Sequence, residues 1–237
     1  KYELRLINSQ GKELEYFVRE PRKGKRPLPA VFILAGVETG RESFDLIDDR
    51  DDLLLVSMNY PRREELALSG LGLVLAPYVL RRMVFESLEG GTLALDYLSK
   101  RTDVDQKRII LLGVSFGSPI IVALGARDPR ADAVVLIYGG GDLGGLARTN
   151  LREKPWWVPG WIIGPAVRTF LGEFEPLAHV EKVAPRYFLM VSSRQDEMFP
   201  PSSALALYGR ARDPKKLIWY DTGHLDLFDR QLIRRLT

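Results

Sequence analysis

The stretch Arg108-Ile109-Ile110-Leu111-Leu112-Gly113-Val114-Ser115-Phe116-Gly117-Ser118-Pro119 decides how the rest of the chain is read. An apolar run of strand length drives into Gly113-Val114-Ser115-Phe116-Gly117. A run of helical composition follows, with Pro119 in its first turn, where a missing amide hydrogen costs little. This is the G-x-S-x-G pattern, a turn too tight for bulky flanking side chains. It pushes the Ser115 hydroxyl out at the end of a sheet and leaves the Phe116 amide free at a helix N-terminus. A serine hydroxyl is a weak nucleophile until a base takes its proton. The pattern therefore predicts a histidine, an acid to orient it and a second amide for an oxyanion elsewhere in the chain.

Working outward, residues 30–34 and 53–58 are short and uniformly apolar, which predicts strands buried on both faces of a parallel sheet. Residues 133–138, 187–193 and 216–220 are further strands. Residues 88–100, 116–126 and 225–236 have helical spacing, and a short helix is expected to end at Leu46. Tyr2–Ile7 and residues 14–19 alternate apolar and polar side chains around Ser9-Gln10-Gly11-Lys12, the pattern of an antiparallel hairpin. Residues 21–29 form a basic, proline-rich connector. Strands alternating with helices imply an α/β chain with a doubly wound sheet. No internal repeat or linker divides it, so residues 1–237 read as one domain.

Residues 143–177 break the alternation. They hold Trp156, Trp157 and Trp161, three of the four tryptophans, interleaved with Pro155, Pro159 and Pro165. A structureless connection of this length is uncommon in a compact domain unless it covers or binds something, so a cap or lid is expected here, its tryptophans walling a substrate pocket.

The acid is expected at Asp196, just past an apolar strand in Ser192-Ser193-Arg194-Gln195-Asp196-Glu197. Glu197 is its rival, and Asp221 and Asp226 bracket the base. That base is expected at His224, on the loop Tyr220-Asp221-Thr222-Gly223-His224. The other histidine, His179, lies far from any strand end and reads as structural. Ser115, Asp196 and His224 then follow the Ser…Asp…His order of one triad class. The second oxyanion amide is expected at Val37, in Ala35-Gly36-Val37 after the first buried parallel strand, beside that of Phe116.

Composition narrows the classes further. With 46% hydrophobic and 27% charged residues the chain is neither disordered nor low-complexity. A net charge of +3 with scattered basic residues gives no nucleic-acid footprint. No cysteine is present, which removes disulfides, thiolate nucleophiles and cysteine zinc sites, and two histidines argue against a multi-histidine metal centre. The chain begins at Lys1, and a signal peptide or membrane anchor upstream would make it exported rather than cytoplasmic; the sequence leaves compartment and oligomeric state open. The apolar residues 66–80 are too short and too broken by Ser69, Gly70, Gly72 and Pro77 for a spanning helix. Together with the tryptophans they suit contact with a membrane surface.

These residues resemble the α/β-hydrolase fold over nearly the whole chain. The dienelactone hydrolase and prolyl-oligopeptidase-like branches are the most similar, through Leu34-Ala35-Gly36, Val104-Asp105-Gln106-Lys107-Arg108-Ile109, and Asp196 followed by Phe199-Pro200. Ala35 stands where many members have histidine, and Ser118 where many have glycine; neither change removes a backbone donor. The resemblance implies a mostly parallel sheet of about eight strands with helices on both faces. It also implies Ser115, Asp196 and His224 as nucleophile, acid and base, with acyl-enzyme chemistry and no cofactor. The expected activity is that of a serine carboxylesterase on a short-to-medium acyl ester. A thioesterase or peptidase would use the same triad, and a non-catalytic binding protein is the expectation from another class.

Overall fold

The computed structural model describes residues 1–8, 11–21, 24–47, 52–65, 72–150 and 159–224, apart from the side chains of Asp45 and residues 72–75. Eight strands form one sheet: β1 Tyr2–Ile7, β2 Glu13–Arg19, β3 Leu28–Leu34, β4 Leu54–Met58, β5 Val104–Val114, β6 Ala133–Ile137, β7 Tyr187–Ser193 and β8 Lys215–Tyr220. Their spatial order is β1-β2-β4-β3-β5-β6-β7-β8. β1 and β2 form an antiparallel hairpin, and β2 joins β4 antiparallel. From β4 to β8 every pairing is parallel.

Alternation along the central strands separates two cores. Phe32, Leu34, Leu111, Val134, Leu136, Phe188 and Met190 point to one face, Val31, Ile33, Leu112, Val114, Ile137 and Val191 to the other. The first face is covered by α1 Gly72–Ser99, α2 Gly117–Arg127 and α6 Pro201–Arg210, through residues such as Met83, Leu95, Ile121, Leu124 and Leu207. The second is covered by Phe44, Leu46 and Ile47 of the 3-10 segment Gly40–Leu46 and its end. The expected closing helix at 225–236 lies outside the described residues.

Three sequence expectations change. β3 starts at Leu28, where the strand was expected from Ala30, because Leu28 pairs with Val104; between that pair and Ala30↔Ile109 the register shifts, so β5 is bulged. The helix expected at 88–100 starts at Gly72 and runs 28 residues, passing through Pro77. That proline stands in the second turn, where it forfeits at most one intrahelical bond. The segment 143–177 is not structureless where it is described. It contains α3 Leu143–Asn150, α4 Gly160–Leu171 and the single turn α5 Pro176–His179. α3 packs on α4 and α4 on α1. Glu175 anchors this excursion: its carboxylate accepts from the amides of Asp142 and Leu143, each at 2.8 Å, and so holds the entry to α3.

The chain order around β3 matters for the site. It leaves β3 for β4 on one side, then crosses through α1 to β5 on the other. The strand order reverses between β3 and β5, and open α/β sheets bind ligands at the carboxyl ends of the strands flanking such a point.

Candidate active site

Ser115 follows β5 directly and has φ 51°, in the left-handed region a serine rarely occupies. The turn is locked by the Ser115 amide donating to the Ile137 carbonyl at 2.9 Å and the Ser118 amide donating to the Ser115 carbonyl at 3.0 Å. It also explains its two glycines. A Cβ on Gly117 would lie 2.0 Å from the Leu34 carbonyl oxygen, and one on Gly113 would lie 2.8 Å from the Ser118 Cα. The elbow thus presses β5 against the end of β3 and the first turn of α2.

The structure brings Ser115, His224 and Asp196 together. Ser115 Oγ and His224 Nε2 are 2.9 Å apart, and His224 Nδ1 is 2.9 Å from both carboxylate oxygens of Asp196. Asp196 is 4% exposed, and its Oδ1 also accepts from the amides of Met198 and Phe199, each at 2.8 Å. That carboxylate faces one edge of the imidazole, an arrangement that suits a proton on Nδ1 and leaves Nε2 to accept from Ser115. The imidazole lies stacked 5.9 Å from the Phe199 ring, with Tyr138 at 5.5 Å.

The rival acids stand elsewhere. Glu197 is exposed, Asp221 pairs with Arg194 at 3.1 Å, and Asp226 is outside the described residues. His179 Nε2 donates to the Glu173 carbonyl at 2.6 Å, away from these residues.

Val37 sits in a turn closed by the Thr39 amide and hydroxyl, which both donate to the Gly36 carbonyl, at 3.0 and 2.7 Å. Phe116 is the N-cap of α2. Neither the Val37 nor the Phe116 amide donates a hydrogen bond among the described residues. The two amides therefore project from the ends of adjacent strands, β3 and β5, with capacity to spare.

Of the tryptophans expected to wall a pocket, Trp161 is 76% exposed on α4. Trp156 and Trp157 lie outside the described residues.

Sequence reasoning missed three positioning residues. Ser193, 1% exposed at the end of β7, donates through Oγ to the Thr222 carbonyl and accepts from the amides of Gln195 at 3.1 Å and Thr222 at 3.2 Å. One hydroxyl thus clamps the Asp196 loop to the His224 loop. Tyr138 Oη and Thr222 Oγ1, 2.9 Å apart, add a second tie to the same loop. Tyr60 serves the other side: its buried hydroxyl donates to the Ala35 carbonyl at 2.6 Å, and its ring meets Phe116 edge-on at 5.5 Å. Tyr60-Pro61 is visible in the sequence, but its partners, the Ala35 carbonyl and the Phe116 ring, are brought near only by the fold.

Comparison with known proteins agrees with this architecture. No protein-family model matches the chain. Alpha/beta hydrolase domain-containing protein WAV2 of Arabidopsis thaliana is 29% identical over 131 residues, which are 52% of this chain and 41% of that relative, so the match spans less than half of the plant protein. Among solved structures, the α/β hydrolase GrgF from Penicillium sp. sh18 superposes with a TM-score of 0.67 at 16% identity, over 99% of this chain and 96% of that one. An acetyl xylan esterase from Paenibacillus sp. R4 gives 0.71 at 19% identity, covering 99% and 82%. A puromycin-hydrolyzing peptidase of Mycobacterium tuberculosis gives 0.69 at 19%, covering 99% and 37%. At such identities the likeness is one of fold, and the chain has the α/β-hydrolase fold.

Proposed function

We propose that the protein is a serine carboxylesterase that hydrolyses a short-to-medium acyl ester. The observation that carries this reading is the continuous relay Ser115 Oγ, His224 Nε2, His224 Nδ1, Asp196, with both links at 2.9 Å. Solved structures of the same fold include an esterase and a peptidase, which supports acyl transfer as the reaction class.

Ser115 Oγ attacks the ester carbonyl while its proton passes to His224 Nε2. The tetrahedral oxyanion is met by the Val37 and Phe116 amides, donors of a kind typically worth about 3–4 kcal/mol of barrier each. The C–O bond to the alcohol breaks, and His224 returns the proton to the departing alkoxide oxygen. Water then repeats the sequence on the acyl-enzyme, releasing the carboxylic acid and restoring Ser115. Asp196 holds the imidazole tautomer and stabilises its transient positive charge. No cofactor enters this scheme.

A substrate panel of p-nitrophenyl esters, acyl thioesters and aminoacyl amides tests the assignment. Turnover fastest on esters, and abolished in a folded Ser115→Ala variant, is the expected result. Preference for thioesters or amides would reassign the substrate class on the same triad. No turnover of any of the three by wild-type protein would favour a binding protein on a hydrolase scaffold.

A further inference from the structure

We propose that the face formed by α4 and the N-terminal half of α1 is a docking surface for a bilayer that carries anionic phospholipid. α4 buries Ile163 and Gly164 but leaves Trp161, Ile162 and Phe170 exposed. Trp161 is 76% exposed, more than any other large apolar side chain among the described residues, with Ile162 at 40% and Phe170 at 39%. Pro165 and Thr169 are exposed between them. Positions 161, 162, 165, 169 and 170 share one side of a helix. Beside it, α1 exposes Tyr78 and Phe85. A helix of a protein surrounded by water usually covers its outward side with charge, whereas the outward side of α4 carries Trp161, Ile162 and Phe170 with Arg168 as its one charged residue.

Charge selects the occupant. Residues 72–85 and 159–171, which build this face, and 143–150 of the adjoining α3 contain Arg81, Arg82, Arg148 and Arg168 and no aspartate or glutamate. Arg81 lies over the Phe85 ring at 4.8 Å, so its guanidinium is held within the aromatic surface. Arg81, Arg82 and Arg168 each reach one carboxylate beside the face, Glu173 at 3.2 Å, Glu86 at 3.7 Å and Asp142 at 3.1 Å. Arg148 is exposed and makes no ion pair among the described residues. Exposed tryptophan, tyrosine and phenylalanine set among arginines are the composition of an element that lies in the headgroup region of an anionic membrane. No described helix is long and apolar enough to cross one, so the contact is with the surface.

The face also shares the site's end of the sheet. α1 follows the carboxyl end of β4 and α3 follows that of β6. At the end of α3, Asn150 Nδ2 donates at 3.0 Å to the carbonyl of Met198, whose amide donates to Asp196. Docking would therefore carry Ser115 to the bilayer surface and favour an ester borne by the membrane. That consequence for the substrate rests on the esterase reading, whereas the docking itself does not.

Flotation of the full chain with phosphatidylcholine vesicles, with and without phosphatidylglycerol, tests the docking without reference to activity. The expected result is co-flotation with the anionic vesicles alone, weakened by salt, and reduced about tenfold or more by Ile162→Glu and by Arg148→Glu. Ile7→Glu, at an apolar residue of the edge strand β1 that is more exposed than Ile162, should float as wild type. The proposal is overturned if wild-type protein stays with the soluble fraction, or if Ile162→Glu floats unchanged. It is equally overturned if Ile162→Glu leaves flotation intact and instead dissociates a wild-type dimer, since the face would then be an interface between copies. Turnover of soluble esters by Ile162→Glu, measured alongside, separates failure of docking from failure of the esterase reading.

Discussion

Ser115 Oγ and His224 Nε2 stand 2.9 Å apart although 109 residues separate them in the chain. That closeness is produced across the ends of β5 and β8, with β6 and β7 between them, and by two loop clamps rather than by local sequence. Each feature that makes it can be removed separately.

The elbow depends on the absence of a side chain at Gly117, where a Cβ would sit 2.0 Å from the Leu34 carbonyl oxygen and 2.5 Å from its carbon. Both atoms are backbone and cannot swing aside. Gly117→Ala is expected to cost about 1–3 kcal/mol or more, the usual range for overpacking. Urea denaturation should show a lower midpoint with an unchanged slope.

Ser193 is expected to act through His224 rather than on substrate. Ser193→Ala leaves the Thr222 carbonyl and the Gln195 and Thr222 amides without their buried partner, at about 1–3 kcal/mol for an orphaned group. A loosened base loop should lower kcat by roughly ten- to a hundredfold with KM little changed. Ser193→Thr keeps the hydroxyl and should recover most of the loss. A variant that raises KM and spares kcat would assign Ser193 another role.

The extent to which this site can be read from sequence follows from how local each signal is. The elbow is legible because its glycines and serine are adjacent and the turn admits little else. Asp196 and His224 are legible because each lies within a few residues of an apolar strand end. α1 and α4 are harder, since Pro77 and Pro165 sit inside them and read as punctuation, yet in the second turn each forfeits one intrahelical bond that the packing of the rest of the helix outweighs. Ser193 and Tyr60 carry no sequence signal at all. Their hydroxyls bond to main-chain atoms, mostly of loops remote in sequence, and a hydroxyl that bonds to backbone leaves no pattern of matched side chains to find.

Glu86, which is buried on α1, should contribute to acid sensitivity. Burial pushes its carboxyl up, but the hydrogen-bonded ion pairs with Lys12 and with Arg62, the latter at 2.6 Å, outweigh burial and hold it below the ordinary glutamate range. A depressed folded-state pKa stabilises the fold above the unfolded value of about 4.3, and that stability is lost as pH falls through the folded value. Glu86→Gln should therefore lower Tm at neutral pH, and the gap to wild type should shrink as the solution is acidified. A gap independent of pH would contradict this.

The central claim is that His224 activates the Ser115 hydroxyl, and reaction with a fluorophosphonate measures that activation without assuming a substrate. Mass spectrometry should find wild-type protein modified once, at Ser115. Labelling should vanish in Ser115→Ala and slow by roughly three orders of magnitude or more in His224→Ala, both variants retaining the wild-type fold by circular dichroism. Labelling of His224→Ala at the wild-type rate, or a folded wild-type protein that does not react at all, would contradict the account.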